Sequence, residues 1–271
     1  MTIRFKKENL TPPTFRNIGK CIYCGSEDTL SDEHILPEGL GGCHVLRNAS
    51  CEKCRKHTAT IESFVLGQMF NPIRARMGLL KNKRAKKRIA HAKTVDAYGQ
   101  VRTLRIDPLK SPVAGVFPIY APPLLFNSKH VGYGESYAII SSESLWDEWK
   151  ETTGNTIQVG MNRKRFALML AKIGHALTVG ELGTDSFDPF LPPIILEKQS
   201  DIYRFVGCYY QWLSPATDDY HKYDVQIRHH DGEDLVSVKL RLFANVKSPT
   251  YLIVTGRLRM ATRVWSHASE L

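Results

Sequence analysis

The chain has 271 residues, 42% of them hydrophobic, with 37 Lys and Arg against 27 Asp and Glu, a formal net charge of +10. That length and apolar content support a real core, in one large domain or two modest ones, and no apolar run approaches the roughly 20 residues needed to span a bilayer. The basic excess points to a polyanionic partner, nucleic acid before an anionic membrane surface.

The first residues, MTIRFKKENLTPPTF, are charged and have no apolar h-region, so a secretory signal is not expected and the expected location is the cytoplasm. There thiols stay reduced, and paired cysteines read as metal ligands before they read as disulfides. Residues 1–20 form a short basic arm broken by Pro12-Pro13, with Ile3-Arg4-Phe5 a candidate edge strand.

Residues 21–62 concentrate the reactive side chains. Two C-x-x-C pairs, Cys21/Cys24 and Cys51/Cys54, can supply four thiolates to a tetrahedral zinc ion. Gly25 suits the tight turn of the first pair. Twenty-six residues separate Cys24 from Cys51, enough for a hairpin and a loop, so the zinc would clamp the ends of a unit too small to build its own core. Within the interval, residues 31–37 read as a short strand ended by Pro37, and residues 38–42 as a glycine-rich loop. Ser50 reads as the N-cap of a helix from Cys51 past Glu62, with Cys54, His57, Thr58 and Ile61 on one face. Cys43 and Cys208 lack partners at ligand spacing, and His44 reads as a surface side chain.

A zinc clamp has no need of Asp32-Glu33-His34. A carboxylate beside a histidine at a strand end can hold a divalent cation while the imidazole takes a proton from attacking water. His57 is a candidate second metal ligand, and Asn48 a candidate for orienting the loop that positions His34.

Glu33-His34-Ile35-Leu36-Pro37, with Asn48 fourteen positions after His34 and His57 nine after Asn48, resembles the signature of the HNH endonucleases, the ββα-metal nucleases, in their zinc-containing branch. The resemblance covers roughly residues 21–64. It implies His34 as the general base, Glu33 and His57 as ligands of a catalytic Mg²⁺ or Mn²⁺ (Asp32 the weaker candidate), and Asn48 as the asparagine supporting loop and base. It further implies that the metal stabilises the transition state and the leaving 3′ oxygen, giving 5′-phosphate and 3′-hydroxyl ends. One departure stands out: many zinc-bearing members carry asparagine or histidine directly after the last cysteine, and here that residue is Arg55. Either His57 takes the metal role, or Arg55 contacts phosphate and the metal is held differently, with Glu62 a candidate helper.

Beyond the motif, a run of bases without an acid contains Arg74, Arg76, Lys81, Lys83, Arg84, Lys86, Lys87, Arg88 and Lys93. With a nuclease-like neighbour it reads as a phosphate-contacting linker or exposed helix. The remainder reads as a mixed α+β unit. Strands are expected at 137–140, 193–196, 203–208, 223–229, 235–244 and 251–258, and helices at 144–150 and from Asn162 to about Val179. Asp231-Gly232 marks a hairpin. Lys172 and His175 read as a helix flank. Trp146, Trp149, Tyr209, Tyr210 and Trp212 could stack on bases, but such spacing is commoner in cores.

The expected architecture is therefore α+β: an HNH module at 1–66, a basic segment at 67–110 and an α+β domain at 111–271. The expected function is metal-dependent hydrolysis of DNA, by nicking, since one module makes one active site; double-strand cutting would need a homodimer or two events. Free-standing HNH nucleases with an extra domain resemble components of bacterial anti-phage or restriction systems, so other subunits of a defence system join DNA among the expected partners. The alternative is a zinc-stabilised nucleic-acid-binding or scaffold protein that does not cleave.

Overall fold

The computed structural model describes residues 2–4, 17–80, 90–95, 98–126, 136–153, 156–158, 161–213 and 215–259. Its architecture is mixed α+β, an N-terminal hairpin–helix module with a four-cysteine cluster followed by a sheet-rich region. After an arm strand β1 (Thr2–Arg4), an antiparallel hairpin of β2 (Leu30–His34) and β3 (Val45–Cys51) leads into helix α1 (Glu52–Phe64). Cys51, extended at φ −75° and ψ 159°, ends β3 and is the N-cap, so Ser50 lies within the strand and does not cap the helix. Cys54, Thr58 and Ile61 are the buried face of α1, as the helical spacing requires.

A π-helical turn (Val65–Met69) and α2 (Asn71–Arg76) follow, then two small sheets. One joins β4 (Ala90–Val95), β5 (Val101–Ile106) and β8 (Thr156–Gln158); the other joins β6 (Val113–Pro118) and β7 (Tyr137–Ser141). Between β7 and β8 lies α3 (Glu143–Thr153). The sequence reading missed β4, β5, β6 and β8. Of the basic run, Lys93 lies on β4, whereas Lys81, Lys83, Arg84, Lys86, Lys87 and Arg88 lie outside the described residues.

The long helix α4 (Arg163–Leu182) starts where the sequence expects it. The Asn162 side chain accepts a hydrogen bond from the Arg165 amide at 2.9 Å, which satisfies one orphan donor of the first turn. After β9 (Phe187–Pro189), residues 193–196 depart from the expected strand. Pro192 and Pro193 open a helical turn, α5 (Pro192–Ile195), because proline's fixed φ suits the first helical positions. Residues 203–208 divide between α6 (Ile202–Phe205) and β10 (Val206–Leu213). The sheet is completed by β11 (His221–His230), β12 (Glu233–Leu242) and β13 (Pro249–Leu258) in the order β1-β11-β12-β13-β10, all antiparallel, with β9 on β13. Asp231 and Gly232, at φ 48° and 78°, make the expected β11–β12 turn.

Helix α4 is the centre of the molecule. All its residues from Phe166 to Val179 are buried, so Lys172 and His175 are core residues and not a helix flank. One side lies on the sheet. Gly174 lets the backbone come close, since a Cβ there would lie 2.8 Å from Ile253 Cγ2, and one turn on Thr178 donates to Thr255 Oγ1 at 2.8 Å. The other side meets the hairpin module, where His175 Nε2 donates to the Ile22 carbonyl at 2.8 Å. A single hydrophobic cluster runs from Cys21 through Phe166 to Leu258, so the four-cysteine module and the sheet-rich region share a core. Phe70 marks the seam: its ring meets Phe117, Phe166 and Phe243 at centroid distances of 5.0, 5.7 and 5.3 Å. Among the described residues no helix is long and apolar enough to cross a membrane.

Candidate nuclease site and metal centre

The four cysteine sulfurs lie within 4.8 Å of one another. Cys24 and Cys51 are 3.6 Å apart, close to the ~3.8 Å edge of a tetrahedron with Zn–S bonds of about 2.3 Å. The first knuckle is closed locally: Gly25, at φ 76°, donates its amide to the Cys21 carbonyl at 2.8 Å, and Cys21 donates to the Ser26 carbonyl at 2.7 Å. The second knuckle straddles the end of β3 and the first turn of α1. All four thiols are free of disulfides. Burial raises the Cys21 and Cys54 thiols above their ordinary range, so holding this set as thiolates calls for a cation. The donor set and spacing fit a structural metal such as zinc.

The residues between the knuckles are distributed differently. Register shifts between Ser31 and Glu33: Ser31 faces Ser50, but Glu33 faces Leu46, leaving a bulge in β3. Asn48 sits in that bulge at φ 49°, a left-handed conformation asparagine tolerates. Its amide donates to Asp32 Oδ1 at 3.1 Å and its side chain to Asn17 Oδ1 at 3.0 Å, so Asn48 ties the bulge to β2 and to the entering chain. Alternation along β2 sends Glu33 inward, while Asp32 is exposed and His34 is half-buried on the other face.

Glu33 is 5% exposed. Its Oε1 accepts from the Tyr23 hydroxyl at 3.1 Å and lies 2.7 Å from Lys172 Nζ. The same ammonium lies 2.8 Å from Glu62 Oε1 and donates to the His34 carbonyl. The Glu62 contact is an ion pair without hydrogen-bond alignment. Burial works against the Lys172 charge, but the Glu33 and Glu62 carboxylates outweigh it and raise the lysine above its ordinary range. Burial, reinforced by the Glu33 charge, holds the Tyr23 phenol neutral.

His57 faces elsewhere. Its Nε2 donates to the Ile195 carbonyl at the end of α5, at 2.9 Å, and lies 3.7 Å from Glu197 Oε2, which also pairs with Lys164 at 3.5 Å through Oε1. Among the described residues the four cysteines are the one set of three or more His, Cys, Asp or Glu donor atoms gathered closely enough to hold an ion. Thus Glu33, His34, Asn48 and His57 share one hairpin–helix unit, but the two side chains expected to hold a divalent ion have other partners, and they do not fit that ion as arranged.

Residues 21–68 match the family model for HNH endonuclease.

No curated protein and no solved structure matches the chain. The match suggests a nuclease-type function for this module and implies a nucleic-acid substrate. Of the expected contact residues, Arg55 is exposed in the first turn of α1. Arg74 instead donates Nε to the Gly39 carbonyl at 2.6 Å and Nη1 to the Leu66 carbonyl at 3.1 Å, and Arg76 donates to the Ser111 carbonyl; both guanidiniums brace backbone. His44 is 4% exposed, not a surface side chain, and burial lowers its affinity for a proton. Trp149 is buried, and Tyr209 lies under Lys239 Nζ at 4.1 Å from the ring centroid. The residue that sequence reading undervalued is Lys172, whose one signal was a charge amid an apolar helix stripe.

Proposed function

We propose that this protein hydrolyses DNA phosphodiester bonds as an HNH endonuclease, with His34 as the general base that takes a proton from the attacking water. The observation that carries the reading is the family match over residues 21–68, on a hairpin and helix that hold His34 half-exposed at a strand end beside Asp32 and the Asn48 bulge. The net charge of +10 favours a polyanionic substrate, and exposed Arg55 offers a guanidinium to a phosphate. One such centre nicks one strand, and a role in bacterial anti-phage defence or restriction suits a nuclease of this build. The Mg²⁺ or Mn²⁺ that the family uses would supply charge stabilisation at the leaving oxygen. As arranged, Glu33 is engaged with Lys172 and His57 with the Ile195 carbonyl.

Supercoiled plasmid incubated with zinc-loaded wild type should give open-circular product before linear product, and His34→Ala should leave it supercoiled. Equal cleavage by His34→Ala would sink the assignment of the base. The Lys172–Glu33 pairing favours a second reading, a zinc-stabilised module that binds nucleic acid without cutting it. That reading predicts salt-sensitive binding, the plasmid intact, and no effect of His34→Ala.

A further inference from the structure

Three oxygens converge on the Lys172 ammonium: Glu33 Oε1 and Glu62 Oε1 as ion-pair partners, and the His34 carbonyl as a hydrogen-bond acceptor. The lysine side chain is 2% exposed and the Glu33 side chain 6%. An ion enclosed to this degree is retained only when its charge is balanced nearby, and these two carboxylates balance it. The lysine comes from α4, 138 residues beyond the carbonyl it touches, yet it lands on the carboxylate that the resemblance gives to the divalent ion and on the backbone of the candidate base. Two carboxylates and one ammonium leave one negative charge; without the ammonium two would remain, the charge of a carboxylate pair suited to a hard divalent cation.

We propose that Lys172 is the built-in cation of this module: its ammonium occupies the place of the divalent ion at Glu33, and the Glu33–Glu62 pair takes Mg²⁺ or Mn²⁺ only when that ammonium is removed. The inference rests on the HNH reading of residues 21–68. The ammonium neutralises Glu33 without needing an open coordination sphere, and it donates a hydrogen bond that fixes the His34 carbonyl. Glu33 is thereby a buried anchor for the seam between hairpin and α4. Mg²⁺ and Mn²⁺ require several oxygens at about 2.1 Å in near-octahedral order. A pocket already filled by a tethered ammonium and roofed by the Tyr23 hydroxyl offers no such sphere.

The test is calorimetric titration of the zinc-loaded full chain with MnCl₂, comparing wild type, Glu33→Gln and Lys172→Gln. Wild type is expected to match Glu33→Gln, with no Mn²⁺ site that depends on Glu33. Lys172→Gln is expected to gain one Mn²⁺ site, more than about tenfold tighter than any in wild type, because a repelling charge has gone and two carboxylates remain. A Mn²⁺ site in wild type that Glu33→Gln abolishes overturns the proposal, and so does a folded Lys172→Gln that takes up no Mn²⁺. Should Lys172→Gln prove unfolded by circular dichroism, recovery of its native spectrum in millimolar Mn²⁺ supports the proposal, and a spectrum unchanged by Mn²⁺ overturns it. Plasmid nicking plays no part in these readouts. Failure of the nuclease reading would appear as plasmid left intact by wild type, with the titrations unaffected.

Discussion

The two C-x-x-C knuckles and the Glu33–His34–Asn48–His57 set occupy the same stretch, residues 21–57, yet they finish very differently. The cysteines converge within 4.8 Å through local turns. Of the other set, Glu33 turns in to a lysine of α4 and His57 turns to the end of α5. Each knuckle needs two residues of spacing and a turn, which the sequence spells out. The fate of Glu33 is decided by what a distant helix brings against it. A motif therefore reports which side chains are available, and tertiary packing decides which of them meet.

The largest effect is expected at the cysteines. Cys51→Ala should remove the zinc and, with it, the fold of the hairpin module, since structural zinc supplies about 10–16 kcal/mol of folding free energy. Metal content by atomic emission should fall from near one zinc per chain to near none; a variant that keeps its zinc and its melting transition would dissolve the contrast. Next comes the lysine. Lys172→Met should cost about 3–5 kcal/mol in urea unfolding, because two carboxylates are left without their counter-ion, and adding Glu33→Gln should restore part of it. A cost below about 1 kcal/mol would mean the ion pair holds nothing together.

A third prediction concerns pH. His221 Nε2 donates to the Leu40 carbonyl at 2.8 Å and its Nδ1 accepts from the Phe243 amide at 3.1 Å, so the neutral ring is saturated. Burial holds its pKa down at about 4, against 6.5 in the unfolded chain. Between those values the unfolded chain binds the proton and the folded one does not. Stability from this residue is thus full above pH 6.5 and declines as pH falls towards about 4, by roughly 1.4 kcal/mol for each unit of pKa difference. The unfolding free energy of wild type should drop through that window more steeply than that of His221→Gln; parallel profiles would refute the assignment. The smallest effect is expected at His57. His57→Ala loses the bond to Ile195, a cost of about 1 kcal/mol, with zinc content unchanged. Loss of zinc in that variant would show that the two residue sets are one site after all.

Much of the fold was legible where the signal was local. Asn162 announced α4, Asp231-Gly232 announced the β11–β12 turn, and the knuckles announced the cluster. Pro192-Pro193 was misread because an apolar run followed it, although paired prolines suit a first helical turn better than a strand interior. Lys172 and His175 were misread because α4 is covered on both sides, a fact that no single helix stripe can reveal. Arg74 and Arg76 looked like phosphate contacts by charge alone; a guanidinium binds carbonyls as readily, and here the nearby carbonyls of Gly39, Leu66 and Ser111 claim them.

The contacts of α4 also set an order of events for a chain emerging from a ribosome. The knuckles can close once about sixty residues are free, since every partner they need is already present. The bonds from Lys172 to His34 and from His175 to Ile22 span 138 and 153 residues, so they form only after α4 has been made. Until then Glu33 has no lysine to answer it. If Lys172 is the built-in cation of the module, the nascent hairpin would meet cations before its own ammonium arrives, and synthesis would be the moment at which one can be admitted or refused.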